Sequence, residues 1–298
     1  MIVAALLGDV SLAASNAGRT AADFLEIGQG ARAAGLGGAY TAVSEGAVAA
    51  YWNPAGLAGL ENFEVALGHF SWYQDITVEQ LSLAMPLSAG PVLAASLTYV
   101  NYGAIDGYDA SGVPTGELTA YDLSGGVSIG MAINERWSAG LTAKIVTQRL
   151  DDLSATAYAG DFGLKYHAES FALAATVTNL GSSMTFDQSS EKLPAAFNVG
   201  AAIYPFGGAL TTSLDIEKKF EGDMVIRQGL ELGFDDRYYL RTGYDYLPQQ
   251  DGRELATGLS LGAGLRYGFA DFDYSYTPND KSTAEDLHRF TLVLHLAH

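Results

Sequence analysis

From Phe63 to the C-terminal end, apolar residues alternate with small or polar ones at a period of two, segment after segment. Side chains two apart share one face of a β-strand, so the pattern predicts strands, each with one apolar and one polar face. No run reaches the roughly 18 uninterrupted apolar residues that a membrane-crossing helix requires. Fourteen alternating segments are separated by turn-forming clusters, at 63–71, 76–86, 91–102, 119–131, 137–149, 155–166, 170–178, 194–203, 209–219, 224–234, 237–246, 256–268, 270–276 and 285–297.

What the two faces meet decides the fold class. Asp, Glu, Lys and Arg make up 17% of the chain, against about a quarter in soluble domains, so part of its surface meets something other than water. In segment 119–131 one face holds Tyr121, Leu123, Val127 and Ile129, and the other Asp122, Ser124, Gly126, Ser128 and Gly130. The same split places charges of both signs on the polar faces: Asp122, Lys144, Asp161, Lys165, Asp215, Glu217, Arg227, Glu231, Arg241, Asp245, Arg266 and Asp273. A cation facing lipid near the midplane costs about 2–4 kcal/mol, so these residues belong in a polar interior. A β-sandwich with one wet face would also alternate. Against it stand the glycine-rich polar face and the aromatic residues near strand ends, among them Trp72, Tyr73, Trp137, Tyr166, Tyr204, Tyr238 and Tyr267, placed as in an interfacial girdle. The reading is an all-β transmembrane antiparallel β-barrel of about 14 strands over residues 63–298, with outer-membrane lipids as its surroundings, because a closed barrel satisfies every backbone group in lipid.

The connections alternate in length. Short turns at 87–90, 132–136, 167–169, 204–208, 235–236 and near Phe269 interleave with mostly longer, acidic loops at 103–118, 150–154, 179–193, 220–223, 247–255 and 277–284. Bacterial barrels keep short turns in the periplasm and long loops outside. This places the chain in the outer membrane of a diderm bacterium with both termini periplasmic. The start, residues 1–22, has the apolar and small-residue character of a signal-peptide remnant or a flexible tail, although no basic residue opens it and Asp9 interrupts it.

Residues 23–62 differ from everything after them. They are rich in Ala and Gly, predict short helical stretches around 37–50, and turn at Asn53-Pro54, since the residue before proline is biased out of the helical region. Small side chains suit a plug packed against a curved wall, with inward glycines leaving room and Arg32 available to a wall carboxylate. The motif residues are Gly28, Gly30, Arg32, Gly35, Gly37, Gly38, Tyr51, Trp52, Asn53, Pro54 and Gly56, within the runs Phe24-Leu25-Glu26-Ile27-Gly28, Gly30 to Gly35, Gly37 to Ala42 and Tyr51 to Leu57. This stretch of about forty residues resembles the N-terminal signature of the PorV/PorQ family, a branch of the FadL-like outer-membrane proteins. The resemblance implies a fourteen-stranded barrel with an N-terminal hatch, and one of two roles. PorV-like members bind secretion-system and exported surface proteins in type IX secretion; FadL-like members pass hydrophobic small molecules, with a hydrophobic ligand in the lumen. The loops here are short and acidic, unlike an apolar cradle, which favours the first. The final strand also ends Leu294-His295-Leu296-Ala297-His298 instead of in an aromatic residue.

Other chemistries find little footing. A net charge of -18 without a basic stripe argues against nucleic acid. The chain has no cysteine, which removes disulfides, thiolate zinc sites and thiol nucleophiles. Gly28-x-Gly30-x-x-Ala33 neither follows a strand nor opens a βαβ unit, so it is not a dinucleotide fingerprint. The five histidines lack metal-ligand spacing. Inward carboxylate pairs such as Asp215 with Glu217, or Asp271 with Asp273, read as wall charges paired with Arg or Lys. Neither a cofactor nor a catalytic residue is expected.

Overall fold

The computed structural model describes residues 20–72, 76–88, 90–109, 111–186, 189–248, 258–278 and 286–297. Sixteen strands follow in order: β1 Phe63–Ser71, β2 Thr77–Pro86, β3 Val92–Tyr108, β4 Pro114–Ala132, β5 Trp137–Leu150, β6 Leu153–His167, β7 Phe171–Gly181, β8 Met184–Phe186, β9 Ser189–Glu191, β10 Ala196–Ile203, β11 Leu210–Lys219, β12 Met224–Phe234, β13 Tyr238–Tyr246, β14 Leu259–Tyr267, β15 Ala270–Thr277 and β16 Leu287–Leu296. Fourteen of them form a closed antiparallel barrel in sequence order, sealed where β1 pairs with β16, from Phe63 opposite Leu296 to Ser71 opposite His288. β8 and β9 form a separate two-stranded ribbon between β7 and β10.

The wall is inverted relative to a soluble protein. On β4, Val127 is 65% exposed while its neighbour Ser128 is 4% exposed, and on β3, Leu97 is 39% exposed beside Thr98 at 6%. Apolar side chains cover the outside and polar ones line the inside, as lipid on one side and hydrogen-bonding partners on the other demand. None of the described helices is long and apolar enough to cross a membrane; the strands do the crossing.

Three features differ from the sequence expectation. Residues 103–118 form no long loop: β3 and β4 stay paired beyond the wall as far as Tyr108 opposite Pro114, with bulges after Asn101 and Gly107. Nor are residues 37–48 helical. The helices are α1 Ala31–Gly35 and α2 Ala49–Trp52, with 3-10 turns at Asp23–Glu26 and Pro54–Leu57. Gly37, Gly38 and Gly46 have φ of 64°, 79° and 66°, left-handed conformations that end a right-handed helix. The third concerns where the described N-terminal segment begins; the termini themselves lie outside the described residues. Leu296 ends β16 on the short-turn rim, but Thr20 bridges to Lys192 in the β7–β10 connection, on the loop-bearing rim. Residues 1–19, with the expected signal remnant, and acidic loop residues such as Asp251 and Glu254 lie outside the described residues.

Candidate functional site

Residues 20–62 run from the loop-bearing rim to the short-turn rim and lie against the polar face of the wall. At the loop side the contact is apolar. Phe24 and Leu25 pack with the inward side chains Phe70, Val78, Val100 and Val146, and with Met184 of β8 and Leu193. Ala21 donates its N–H to the Lys192 carbonyl (2.9 Å), and Lys219 pairs with Glu26 (2.6 Å).

Further in, the contacts become hydrogen bonds. The Gln80 amide donates to the Gly28 carbonyl (2.8 Å), and its oxygen accepts from the Gly30 N–H (3.2 Å). Gln29, between these glycines, donates to Thr98 (2.8 Å) and accepts from Ser82 (3.0 Å). Within the segment, the Tyr51 hydroxyl donates to the Leu25 carbonyl (2.6 Å) and accepts from the Gly28 N–H (3.0 Å). Burial pushes the Tyr51 phenol up from its ordinary value, so it stays a donor. Trp52 Nε1 donates to the Gln29 carbonyl (2.8 Å).

Two glycine seats hold the segment close. Gly130, Gly140 and Gly163 are cross-strand neighbours on β4, β5 and β6. A Cβ on Gly163 would fall 2.0 Å from Asn53 Oδ1, one on Gly140 2.3 Å from the Pro54 carbonyl carbon, and one on Gly130 2.5 Å from Pro54 O. Asn53 is extended, with φ of -159°, as the following proline requires, and its side chain accepts from Ala55 N and donates to Thr41 O. The second seat takes α1 and the turn after it. A Cβ on Gly243 would meet Gly37 N at 2.0 Å, and one on Gly229 would meet Leu36 Cβ at 2.9 Å. Gly35 lies against Gly262, and a Cβ on Gly56 would strike Ser44 O at 2.4 Å. Gly38 abuts the Arg227 side chain.

The charges form chains. Arg32 binds Glu231 through two nitrogens at 2.9 Å and also pairs with Glu45. Glu231 in turn pairs with Arg241, which reaches Asp273 at 2.6 Å. Elsewhere Lys144 pairs with Asp161 (2.7 Å) and bonds Asn179, and Arg227 pairs with Glu217 (3.1 Å) and stands opposite Asp245. Asp122 accepts from the Tyr102 hydroxyl and the Gln148 amide. Two wall charges instead hold the segment's backbone: Lys165 donates to Ser44 O (2.7 Å), and Asp215 accepts from Thr41 N (2.8 Å). Arg266 is half-exposed at the short-turn rim, on Asp271 (3.0 Å).

Several contributors escaped sequence reasoning. Arg289 donates to Ile27 O (2.8 Å) with its guanidinium over the Phe70 ring. His295 stands between Glu64 (3.0 Å) and Asp271 (3.1 Å), and Glu64 also accepts from Ala47 N (2.8 Å). The period-two pattern of their strands is the signal that could have placed Gln80, Thr98 and Arg289 on the polar face; it says nothing of their partners in the N-terminal segment. Two polar recesses of about 450 and 460 Å³ open at the short-turn side around Arg32, Glu45, Arg266, Asp271 and Asp273. Among the described residues, no group of three or more His, Cys, Asp or Glu side chains is arranged to hold a metal ion.

An uncharacterised protein family, UPF0164, matches residues 3–293. No curated protein matches the chain in sequence. Among solved structures, the toluene transporter TodX of Pseudomonas putida superposes with a TM-score of 0.63 at 15% identity, covering 89% of this chain and 96% of that one. The monoaromatic hydrocarbon channel CymD gives 0.65 at 14%, covering 91% and 98%. A FadL homologue of Pseudomonas aeruginosa gives 0.54 at 13%, with the same coverage. At such identities the likeness is one of fold: this is a barrel of the kind that outer-membrane transporters use.

Proposed function

Because the chain belongs to the UPF0164 family, whose description assigns no activity, we propose a function from the geometry: a stoppered, non-enzymatic outer-membrane barrel that works by binding other proteins, in export or surface attachment. Residues 23–62 act as its plug. The observation that carries this reading is the filling of the polar lumen by that segment, with main-chain bonds, two glycine seats and the Arg32–Glu231 pair. A barrel so filled acts through its rims. At the loop-bearing rim the β3–β4 ribbon continues past the last β2–β3 pair, Thr77 opposite Asn101, as far as Tyr108, up to about 24 Å at ~3.4 Å per residue, and it exposes Tyr108 and Val113. The resemblance of residues 24–57 to the PorV/PorQ signature supports the same role. Photo-crosslinkers at Tyr108 and Val113, in cells of the native host, are expected to capture exported or secretion-system proteins; crosslinks to lipid alone would overturn the reading.

A second reading has its own observation. The loop-side end of the lumen is apolar, around Phe24, Leu25, Phe70, Val78 and Val100, and the barrel superposes on monoaromatic hydrocarbon channels. Under it the plug shifts to admit small hydrophobic molecules. Uptake of a labelled monoaromatic hydrocarbon by proteoliposomes, abolished by Phe24→Asp, would favour it; uptake equal to that of empty liposomes would remove it.

A further inference from the structure

We propose that the outer face of the barrel at the β1–β16 seam carries a binding site for one zwitterionic phospholipid. Six outward side chains stand in register across six adjacent strands. Leu97 is opposite Leu81, Leu81 opposite Leu67, Leu67 opposite Leu292, Leu292 opposite Phe272, and Phe272 opposite Leu265. They floor a concave groove of about 720 Å³ on the apolar surface of the wall. One row nearer the loop-bearing rim the chemistry changes. His69 pairs with Glu79 at 2.8 Å, both half-exposed, and the Tyr274 hydroxyl meets His288 Nδ1 at 2.7 Å.

These polar groups have no role in the lumen, because they point away from it. Charged and ionisable side chains on a lipid-facing wall are costly unless they sit near the interface and meet a partner. The two pairs use one Glu79 oxygen and the Nδ1 atoms of the histidines, and an amphiphile engages what they leave, the second Glu79 oxygen and His288 Nε2. Its acyl chains lie along the leucine row, its ammonium faces the Glu79 carboxylate, and its phosphate accepts from His288 Nε2–H, whose Nδ1 takes the Tyr274 hydroxyl proton. The opposite side of the barrel shows what a groove without this chemistry looks like. A second concavity of about 750 Å³ over β3–β7, around Leu93, Val127, Leu141 and Phe162, has no histidine, tyrosine or glutamate in its lining. It should hold lipid only as any apolar wall does.

The test is native mass spectrometry of the full chain, purified into micelles holding equal amounts of phosphatidylethanolamine and phosphatidylglycerol. Wild type is expected to retain one phosphatidylethanolamine. Leu67→Trp with Leu81→Trp, which fills the groove on a face where tryptophan is tolerated, should lower retention at least about tenfold. Glu79→Gln should erase the preference for phosphatidylethanolamine while leaving acyl-chain retention, and Val127→Trp in the second groove should change nothing. Each variant is first confirmed as folded by its faster migration before boiling. Equal retention of the two lipids by wild type, no retention, a Glu79→Gln variant that keeps the preference, or an equal loss in Val127→Trp would each overturn the proposal. None of these outcomes depends on protein partners, so this site and the protein-binding reading stand or fall separately.

Discussion

Glu231 shows how single residues hold the lumen together. Its side chain is 6% exposed and takes Arg32 on one side and Arg241 on the other. Removing Arg32 leaves the carboxylate with Arg241; removing Glu231 leaves two guanidiniums facing each other, Arg32 with only Glu45 and Arg241 with only Asp273. Breaking a buried ionic contact from one side costs about 3–5 kcal/mol, most of it the charge left behind. Glu231→Ala should therefore destabilise the barrel in urea, measured in phospholipid bilayers, by more than Arg32→Ala, and Arg32→Ala/Glu231→Ala should cost less than the sum. Equal and additive losses would mean that solvent screens the chain. Gly163 makes a steric argument at the same scale. A Cβ there would sit 2.0 Å from Asn53 Oδ1, whereas one on the outward-facing Gly125 would meet Ile145 Cγ2 at 3.8 Å. Gly163→Ala should lower stability by about 1–3 kcal/mol, as overpacking does, and open residues 53–57 to protease, while Gly125→Ala should leave both unchanged.

At the scale of elements, the β8–β9 ribbon packs against the N-terminal segment. Met184 is 1% exposed and packs in the cluster with Phe24, Leu25 and Phe70, although it lies in a connection. Met184→Asp should free residues 20–27 from the wall, seen as new proteolytic cleavage there, with the heat-dependent gel shift retained because no barrel strand is touched. Cleavage at the wild-type rate would show that the ribbon does not hold the segment. This element also marks where sequence reading stops. Alternation alone located all fourteen wall strands, because lipid outside and a polar lumen inside impose the period on every strand, and it put charges such as Asp122 and Glu231 on the inner face. It could not register Met184 or Leu193, since a loop that folds inward has no periodic partner, nor the left-handed turns at Gly37, which lies on Gly243, and at Gly46, which lies against the Glu64 carboxylate. His295 escaped for a related reason: its partners, Glu64 and Asp271, lie 231 and 24 positions away in sequence and meet it because β16 closes on β1.

For the whole molecule, the question is whether the wall or the segment inside it sets permeability. The wall alone would enclose a polar, charged passage of fourteen strands, and barrels of comparable or larger size with polar interiors conduct ions when nothing fills them. Residues 20–62 lie along that passage through contacts spread over its length: the apolar cluster at the loop side, Gln80 and Thr98 within, the two glycine seats, and Ala47 N on Glu64 near the short-turn rim. If the segment is the plug proposed above, contacts at so many levels should keep it closed through the loss of any one. Full-length protein in planar bilayers should therefore pass little current, and Arg32→Ala should add only brief openings. Deleting residues 20–62 should give a steady conductance at least about tenfold above wild type, provided the deleted chain still shows the gel shift of a folded barrel. The same recording separates the two functional readings: a protein-binding barrel keeps the wild-type baseline in the presence of toluene, whereas a solute channel with a mobile plug responds to it. A folded deletion variant as silent as wild type would place the seal in the strands themselves, and the segment would then be a structural core without a gating role.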